Sequence, residues 1–332
     1  MTATHDYVFN CDGFGILTEL DGTGMTERDA AALLVAPHVA SGITAIDWCI
    51  LTTGEHNCRT RHGRLFDGVG IGRDIDRQIG RVVQHYAAQP LDLLDIVVKH
   101  GHAGGLRVFG NVRLNHDLNK EHALTLPGPT HDGCRKDFRD ESFQAYLLEL
   151  FEDLLEKGVD GISLDFERKV QFFPDDATPD ERTAAGTEFV RKARALTETP
   201  LIVRVAHEFD KGRPQGQDPL AWIREGLVDA VVPATHNHEP DPLDWSFDEF
   251  VAAAAKSPRI CAVWPQIWPT GLPWDGGRAP WHSAEAVLAR VGDIAAAGAD
   301  GAYFFNFLGA GWANPMDDHS PEDEIFAGLG RA

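Results

Sequence analysis

Two carboxylates, Asp165 and Glu167, follow an apolar segment in GVDGISLDFERK at 158–169 and are separated by one residue. In a strand this spacing places both side chains on one face, where they repel each other unless a site uses them. Closely held carboxyl groups suit general acid–base chemistry, because one can stay protonated as an acid while the other stays ionised. We therefore predict that Asp165 and Glu167 form a catalytic pair of carboxyl groups.

Other polar residues stand at the ends of other apolar segments. Arg204 and Glu208 share one face of segment 201–208, and we predict Glu208 as the second carboxylate if the reaction needs one. If the reaction is cleavage of a glycosidic bond, two carboxylates about 5–5.5 Å apart would retain the configuration and two about 6.5–9.5 Å apart would invert it; the sequence leaves both open. The predicted substrate-binding residues are Asn10, Asp12, Arg113, Asn115, Arg168, Arg204, His207, His236, Trp264, Gln266, Trp268 and Asn306.

An aromatic-rich segment, VWPQIWPTGLPWDGGRAPW at 263–281, separates its tryptophans by prolines and glycines. Aromatic faces stack on sugar rings, and neighbouring amides such as that of Gln266 bind hydroxyl groups. The alternative is that two of the tryptophans belong to the core and the others cover a loop. We predict that Trp264 and Trp268 contribute to a sugar-binding surface.

Histidines offer a second chemistry. In ATHNHEPD at 234–241, His236 follows an apolar segment, where it could bind a hydroxyl group or, with nearby carboxylates, a divalent cation. We expect no cofactor and assign no metal ligand. A metal-dependent isomerase or hydrolase built on His236, and a non-catalytic carbohydrate-binding barrel, remain as alternatives.

These residues need a scaffold that brings strand ends together. Three segments echo one another, GVDGISLDF at 158, GLVDAVVPA at 226 and GADGAYFFN at 298, spaced 68 and 72 residues apart. Each interval matches about two βα units of a barrel that uses roughly 250 residues for eight. Eight apolar segments with β character are predicted strands: 7–12, 43–51, 106–115, 159–167, 201–208, 228–236, 259–268 and 299–308. The predicted fold is α/β, a single (β/α)8 TIM barrel over residues 1–332 with extended βα loops.

Local signals place the helices between these strands. TPDE at 178–181 and SFDE at 246–249 each predict a capping box at a helix start. Gly42, Gly158 and Gly298 are predicted to end helices in the left-handed conformation. A doubly wound open sheet is the weaker reading, because no GxGxxG follows the first predicted strand.

The segment DGISLDFE at 160–167 resembles the strand-4 signature DGxDxDxE of family 18 glycoside hydrolases, the chitinase-like barrels, with Ser163 in place of the middle aspartate. GVDGISLDFER followed by FFP also resembles the family-10-like glycosyl hydrolases. The resemblance implies a (β/α)8 glycosidase in which Glu167 is the general acid and Asp165 its tuning partner. The chitinase-like family uses the substrate's acetamido group as nucleophile with the help of an Asp. We predict a glycoside hydrolase that cleaves an oligosaccharide or small glycoside.

Composition restricts the partners and the compartment. Lys and Arg number 30 against 51 Asp and Glu, and the net charge of −21 disfavours nucleic acid. Five widely spaced cysteines disfavour a disulfide framework and favour a reducing compartment, so we expect a cytoplasmic location. The N-terminal residues have no signal-peptide pattern, and no apolar run reaches membrane-spanning length. We expect a carbohydrate substrate and no membrane partner, and the sequence allows a homo-oligomer.

Overall fold

A closed barrel of eight parallel strands forms the centre of the protein. The computed structural model describes residues 5–117, 119–131, 133–167, 171–235, 243–270, 281–307 and 322–329. The strands are β1 (Asp6–Cys11), β2 (Ala45–Cys49), β3 (Arg107–Arg113), β4 (Gly161–Asp165), β5 (Leu201–Ala206), β6 (Ala230–Ala234), β7 (Ala262–Val263 and Gln266–Ile267) and β8 (Gly301–Phe305). The predicted (β/α)8 TIM barrel is confirmed; seven predicted strand segments contain one of these strands, and β1 begins one residue before the segment 7–12.

The barrel closes through β7, which is split into two pieces. In sheet order the strands run β7, β6, β5, β4, β3, β2, β1, β8, β7. The first piece of β7 pairs with β6, where Val263 lies opposite Val231. The second piece pairs with β8, where Gln266 lies opposite Tyr303. Because each end of the sheet is joined to the other through this one strand, all eight carboxyl ends surround one mouth.

Helices surround the barrel and connect its strands. They are α1 (Glu27–Leu34), α2 (Asp74–Ala87), α3 (Leu93–Ala103), α4 (Glu141–Glu156), α5 (Pro179–Leu196), α6 (Pro219–Arg224), α7 (Asp248–Ala254), α8 (Ala284–Ala296) and α9 (Glu322–Leu329). Shorter α-helical turns cover Ala36–Val39, Lys120–Ala123 and Phe209–Gly212, and 3₁₀ turns cover Gly15–Leu20 and Arg213–Gln215. Short strand pairs lie in the loops after β2 (Glu55–His56 with Arg64–Leu65) and β3 (Thr130–His131 with Arg135–Lys136). Of the helices described, none has both the length and the apolar character that crossing a bilayer requires.

The predicted capping signals have different outcomes. Thr178 caps α5 with the complete capping box that TPDE predicts. The box predicted from SFDE is wrong, because α7 begins at Asp248 with Phe247 at its N-cap position and no side-chain cap. Ser246 Oγ accepts a hydrogen bond from the backbone N–H of Asp248 at 3.3 Å, and its neighbours Trp245 and Phe247 are both buried in the core.

Two apolar layers separate the inside of the barrel from its outside. Ile162, Leu164 and Phe166 belong to the outer core between strands and helices, as do Val203 and Val205. A smaller inner cluster fills the barrel and includes Val8, Phe109, Ile202, Trp264, Tyr303 and Phe305. The predicted alternation along β4 and β5 is therefore confirmed, and it directs the polar side chains of both strands into the barrel.

The aspartates of the echoed sequence pattern fasten the bottom of the barrel, opposite the mouth. The carboxylates of Asp160, Asp229 and Asp300 accept hydrogen bonds from the backbone N–H groups of Val108, Leu201 and Val263, at 2.7, 2.9 and 2.9 Å. Each aspartate immediately precedes an even-numbered strand and binds the start of the odd-numbered strand before it. We call these contacts the bottom clamps. The glycines that open the pattern, Gly158, Gly226 and Gly298, all have positive φ, whereas Gly42 does not adopt the predicted left-handed conformation.

Candidate active site

The two predicted catalytic carboxylates lie buried at the carboxyl end of β4. Asp165 Oδ1 accepts a hydrogen bond from Arg204 Nη1 at 2.7 Å and another from the backbone N–H of Glu167 at 2.9 Å. Glu167 Oε1 accepts from Gln217 Nε2 at 2.7 Å, and Gln217 is itself held by the N–H of Ala206. Asp165 is 1% exposed and Glu167 is fully buried. The guanidinium compensates the charge of Asp165, while a neutral amide orients Glu167.

Arg204 is braced from the neighbouring strands. Its Nε donates to Gln266 Oε1 at 2.7 Å, and its Cζ lies 4.0 Å from the ring centroid of Phe305. Gln266 in turn donates to the hydroxyl of Thr235 at 3.3 Å. A buried guanidinium needs such partners, since an uncompensated charge is costly in a low dielectric. Arg204 and Gln266 therefore fix the position of Asp165, and the Gln266 carbonyl that we expected to serve a sugar hydroxyl serves Arg204.

Asp47, in the middle of β2, is a buried acid that the sequence analysis missed. Its Oδ2 accepts hydrogen bonds from Asn10, Asn111, Ser163 and the hydroxyl of Tyr303. Burial, with a smaller contribution from the nearby charge of Asp165, raises the pKa of Asp47 to about 6 against the lowering effect of these donors. Burial also raises the pKa of Tyr303, with a contribution from Asp47. One signal was available: ITAIDWCIL at 43–51 carries a single acid inside an apolar run, on the inward face.

The mouth residues of β1, β3 and β8 also turn inward. Asp12 forms a buried ion pair with Arg113, whose Nη1 donates to the carbonyl of Leu51 at 3.0 Å. Asn306 has φ of 58°, a left-handed conformation that asparagine tolerates better than most residues. Its Oδ1 is buried and has no hydrogen-bond partner among the residues that the structure describes. Asn306 thus presents an acceptor beside β1, where its N–H binds the carbonyl of Asn10.

Two predicted substrate-binding residues have other roles. Trp264 is 3% exposed and stacks on Phe109 in the inner cluster, with ring centroids 6.2 Å apart, so it fills the barrel instead of lining the mouth. Asn115 is used by the loops: its amide donates to the carbonyls of Lys136 and Gln171, both at 3.0 Å, and its Oδ1 accepts from the N–H of Lys136 at 3.2 Å. Trp264 thus packs inside the barrel and Asn115 fastens the loops, and the assignment of both to substrate binding stays a prediction.

The remaining described candidates lie around the mouth. Trp268 stacks on Phe305, with ring centroids 4.9 Å apart, and the Phe305 ring also contacts the guanidinium of Arg204. His207 stacks on Trp245, with centroids 4.5 Å apart. Glu208 stands at the N-cap position of the short helix Phe209–Gly212 without a side-chain cap, and its Oε2 forms an ion pair with Lys211 Nζ at 2.7 Å. Its side chain is 35% exposed, unlike Asp165 and Glu167.

Two predicted site residues, Arg168 and His236, lie outside the described residues, as does the part of the aromatic-rich segment at 271–280. Their assignments to substrate binding stay predictions. The metal-dependent alternative depended on His236 and stays untested with it.

A second group of titratable side chains lies in the loops after β2 and β3. Glu55, Asp117 and His122 each offer one ligand atom, and these atoms lie within 4.8 Å of one another. Burial raises the pKa of Glu55 to about 7, opposed by the bonded guanidinium of Arg64 and reinforced by the charge of Asp117. Asp117 also lines a cavity of about 340 Å³. No sequence motif joins the three residues, and the analysis of the sequence did not single them out.

Comparison with other proteins supports the fold. No known protein family and no curated protein matches the chain. Among solved structures, the glycoside hydrolase domain of PgaB (BpsB) from Bordetella bronchiseptica is 11% identical, with a TM-score of 0.56 and 98% of each chain covered. Alpha-L-fucosidase isoenzyme 2 from Paenibacillus thiaminolyticus is 12% identical, with a TM-score of 0.57 over 98% of this chain and 48% of the fucosidase. The Bacillus cereus spore cortex-lytic enzyme SleL is 12% identical, with a TM-score of 0.51 over 98% of this chain and 73% of SleL. At these identities the likeness is one of fold.

Proposed function

We propose that this protein is a glycoside hydrolase that cleaves an oligosaccharide or small glycoside. The observation that carries the proposal is the pair of buried carboxylates, Asp165 and Glu167, at the mouth of the barrel, one bound to a guanidinium and the other to an amide. Catalytic groups of (β/α)8 enzymes lie at this end of the strands. The solved structures with similar folds include a glycoside hydrolase domain and a fucosidase, which supports the same class of reaction.

In this proposal Glu167 is the general acid/base. Its carboxyl group donates a proton to the glycosidic oxygen as the bond to the sugar breaks, and Gln217 fixes its orientation for that transfer. The carboxylate of Asp165, held by Arg204, stabilises positive charge that develops on the sugar ring or on an assisting substrate group. Proton transfer by a positioned side chain contributes about 10²–10⁴-fold to the rate.

The identity of the nucleophile or base is the finer part of the proposal. Asp165 fills this role if it attacks the sugar directly as the nucleophile, or if it positions an acetamido group of the substrate that does so. Glu208 serves if the enzyme uses a second, more exposed carboxylate. The exposure of Glu208 and its ion pair with Lys211 favour Asp165.

The test compares Glu167→Gln with wild type on natural oligosaccharides and on aryl glycosides with good leaving groups, after metal removal. We expect Glu167→Gln to lower turnover of the natural oligosaccharides by about 10²–10⁴-fold. The loss should be much smaller for the activated aryl glycosides, because their leaving groups need no proton. Glu188→Gln is the matched control, since Glu188 is exposed on α5 and pairs only at long range with Arg191 (3.7 Å).

Two results would contradict the proposal. Wild-type turnover in Glu167→Gln would remove Glu167 from the mechanism. Failure of the wild type to hydrolyse any glycoside of a broad panel, with saturable sugar binding in calorimetry, would identify a carbohydrate-binding barrel instead.

A further inference from the structure

The loops after β2 and β3 bring three potential metal ligands together. Glu55 belongs to the short strand Glu55–His56. Asp117 precedes the helical turn Lys120–Ala123, and His122 lies within it. His122 Nδ1 and Asp117 Oδ2 are 3.5 Å apart. Two ligands bound at 2.0–2.1 Å in a tetrahedral site lie about 3.4 Å apart, so this separation matches two corners of such a site.

The three facing atoms have no other use in the described part of the chain. Glu55 Oε2, Asp117 Oδ2 and His122 Nδ1 are buried and have no hydrogen-bond partner among the described residues. The side chain of Glu55 is 1% exposed and that of Asp117 is 5% exposed. Buried polar atoms are normally paired, and two facing carboxylate oxygens cannot pair with each other unless a proton or a cation lies between them.

The other oxygen of each carboxylate is fixed by a donor. Glu55 Oε1 accepts from Arg64 Nε at 3.0 Å and also from its Nη2. Asp117 Oδ1 accepts from the backbone N–H of Asn119 at 3.3 Å. These contacts hold Glu55 Oε2 and Asp117 Oδ2 toward His122, in the way that outer partners orient ligands in metal sites.

Gly54 packs closely against two of the three potential ligands. A Cβ added to Gly54 would lie 2.7 Å from Asp117 Oδ2 and 3.0 Å from His122 Cε1. Asp117 also borders the cavity of about 340 Å³, which His116 and Lys120 help to line and which gives the site a path for the ion and for water as a further ligand.

The geometry points to a divalent-metal site formed by Glu55, Asp117 and His122, which joins the loops after β2 and β3 at the mouth of the barrel. One imidazole and two carboxylates form a donor set suited to Zn²⁺ and related transition ions, and less suited to Mg²⁺, which prefers oxygen ligands alone. The site is separate from Asp165 and Glu167 and does not depend on the proposed glycosidase activity.

The test uses the full chain without a polyhistidine tag, stripped with a chelator and titrated with Zn²⁺ in calorimetry, with Mg²⁺ in parallel. We expect saturable binding of about one Zn²⁺ per chain and an increase in Tm of at least about 3 °C at saturation. Asp117→Asn and His122→Gln should each weaken Zn²⁺ binding by at least about tenfold, since even outer-partner changes have effects of this size.

Two further variants make the test specific. Gly54→Ala leaves all three ligands in place but adds a methyl group against Asp117, and we expect it to weaken binding as well. His100→Gln is the control, because His100 forms a surface pair with Glu27 at 2.7 Å and should leave binding unchanged. Absence of one-to-one binding in the wild type, or wild-type affinity in both folded ligand variants, would overturn the proposal and identify a shared carboxyl proton as what holds the cluster.

Discussion

The buried guanidinium of Arg204 depends on a few specific contacts at the mouth of the barrel. Its guanidinium is fully buried and is shared between Asp165, Gln266 and the face of Phe305. Removing one partner of a buried ion pair leaves the other charge uncompensated, at a cost of about 3–5 kcal/mol. Asp165→Asn would therefore impair folding as well as chemistry. Glu167 accepts a hydrogen bond from the neutral amide of Gln217.

The buried carboxyl group of Asp47 should make the free energy of unfolding depend on pH. Its pKa rises from 3.8 to about 6 on burial, so the folded protein holds this proton more tightly than the unfolded chain does. The stabilising contribution is complete below the unfolded value and is lost as pH rises through about 6. We expect the free energy of unfolding of wild type, relative to Asp47→Asn, to fall by about 2–2.5 kcal/mol between about pH 4 and pH 7.5.

Urea denaturation of both proteins across this range measures the difference. All other titrating groups are common to the two proteins, so their contributions cancel to first order. A difference that does not change with pH would show that Asp47 keeps an ordinary carboxyl pKa, and one that grows as pH rises would show that folding lowers this pKa.

At the scale of the elements, the strands could be predicted because each combines apolar, often β-branched residues with an alternating polar face. The residues at which the strands end could not be predicted in this way. Glu167 and Glu208 continue the alternation of β4 and β5 after the strands themselves have ended at Asp165 and Ala206. Tertiary packing also overrides local signals, as the burial of Phe247 does at the start of α7.

The bottom clamps lead to a prediction about the stability of the barrel. Asp300→Ala removes the acceptor of the Val263 N–H, and a hydrogen bond to a charged group at a partly buried site contributes about 1–2 kcal/mol. We expect the free energy of unfolding to fall by that amount and turnover to stay unchanged, because the clamp lies at the opposite end of the barrel from Asp165. Urea denaturation and the glycoside assay measure the two quantities.

Asp293→Ala on α8 is the matched control, since Asp293 is exposed and the same change there should alter stability by no more than about 0.5 kcal/mol. An unchanged stability in Asp300→Ala would show that the clamp contributes nothing. A loss of turnover at full stability would show that the bottom of the barrel is coupled to its mouth.

At the scale of the whole molecule, the sequence predicts well which face of a strand a residue occupies. It predicts less well how far below the mouth of the barrel that residue lies, or which residues from distant parts of the chain it contacts. The inward phase of Asp165 and Arg204 follows from alternation, and their contact follows because β4 and β5 are neighbours in a barrel. Alternation also turns Trp264 inward but does not say how far below the mouth it lies. Asp117 and Glu55 come from separate loops, and only the closed barrel, which sets β2 beside β3, brings them together.

The division of β7 gives the barrel a seam. β2 and β3 are joined along five residue pairs, whereas each piece of β7 reaches its neighbour through only two. Local opening starts where few backbone hydrogen bonds must break at once. In hydrogen–deuterium exchange we expect the amides of Trp264 and Tyr303, which bind across the seam, to exchange earlier than those within the β2–β3 pair. Equal protection would contradict this. Because Gln266 lies in the second piece of β7, each opening of the seam would also release Arg204 from one of its partners.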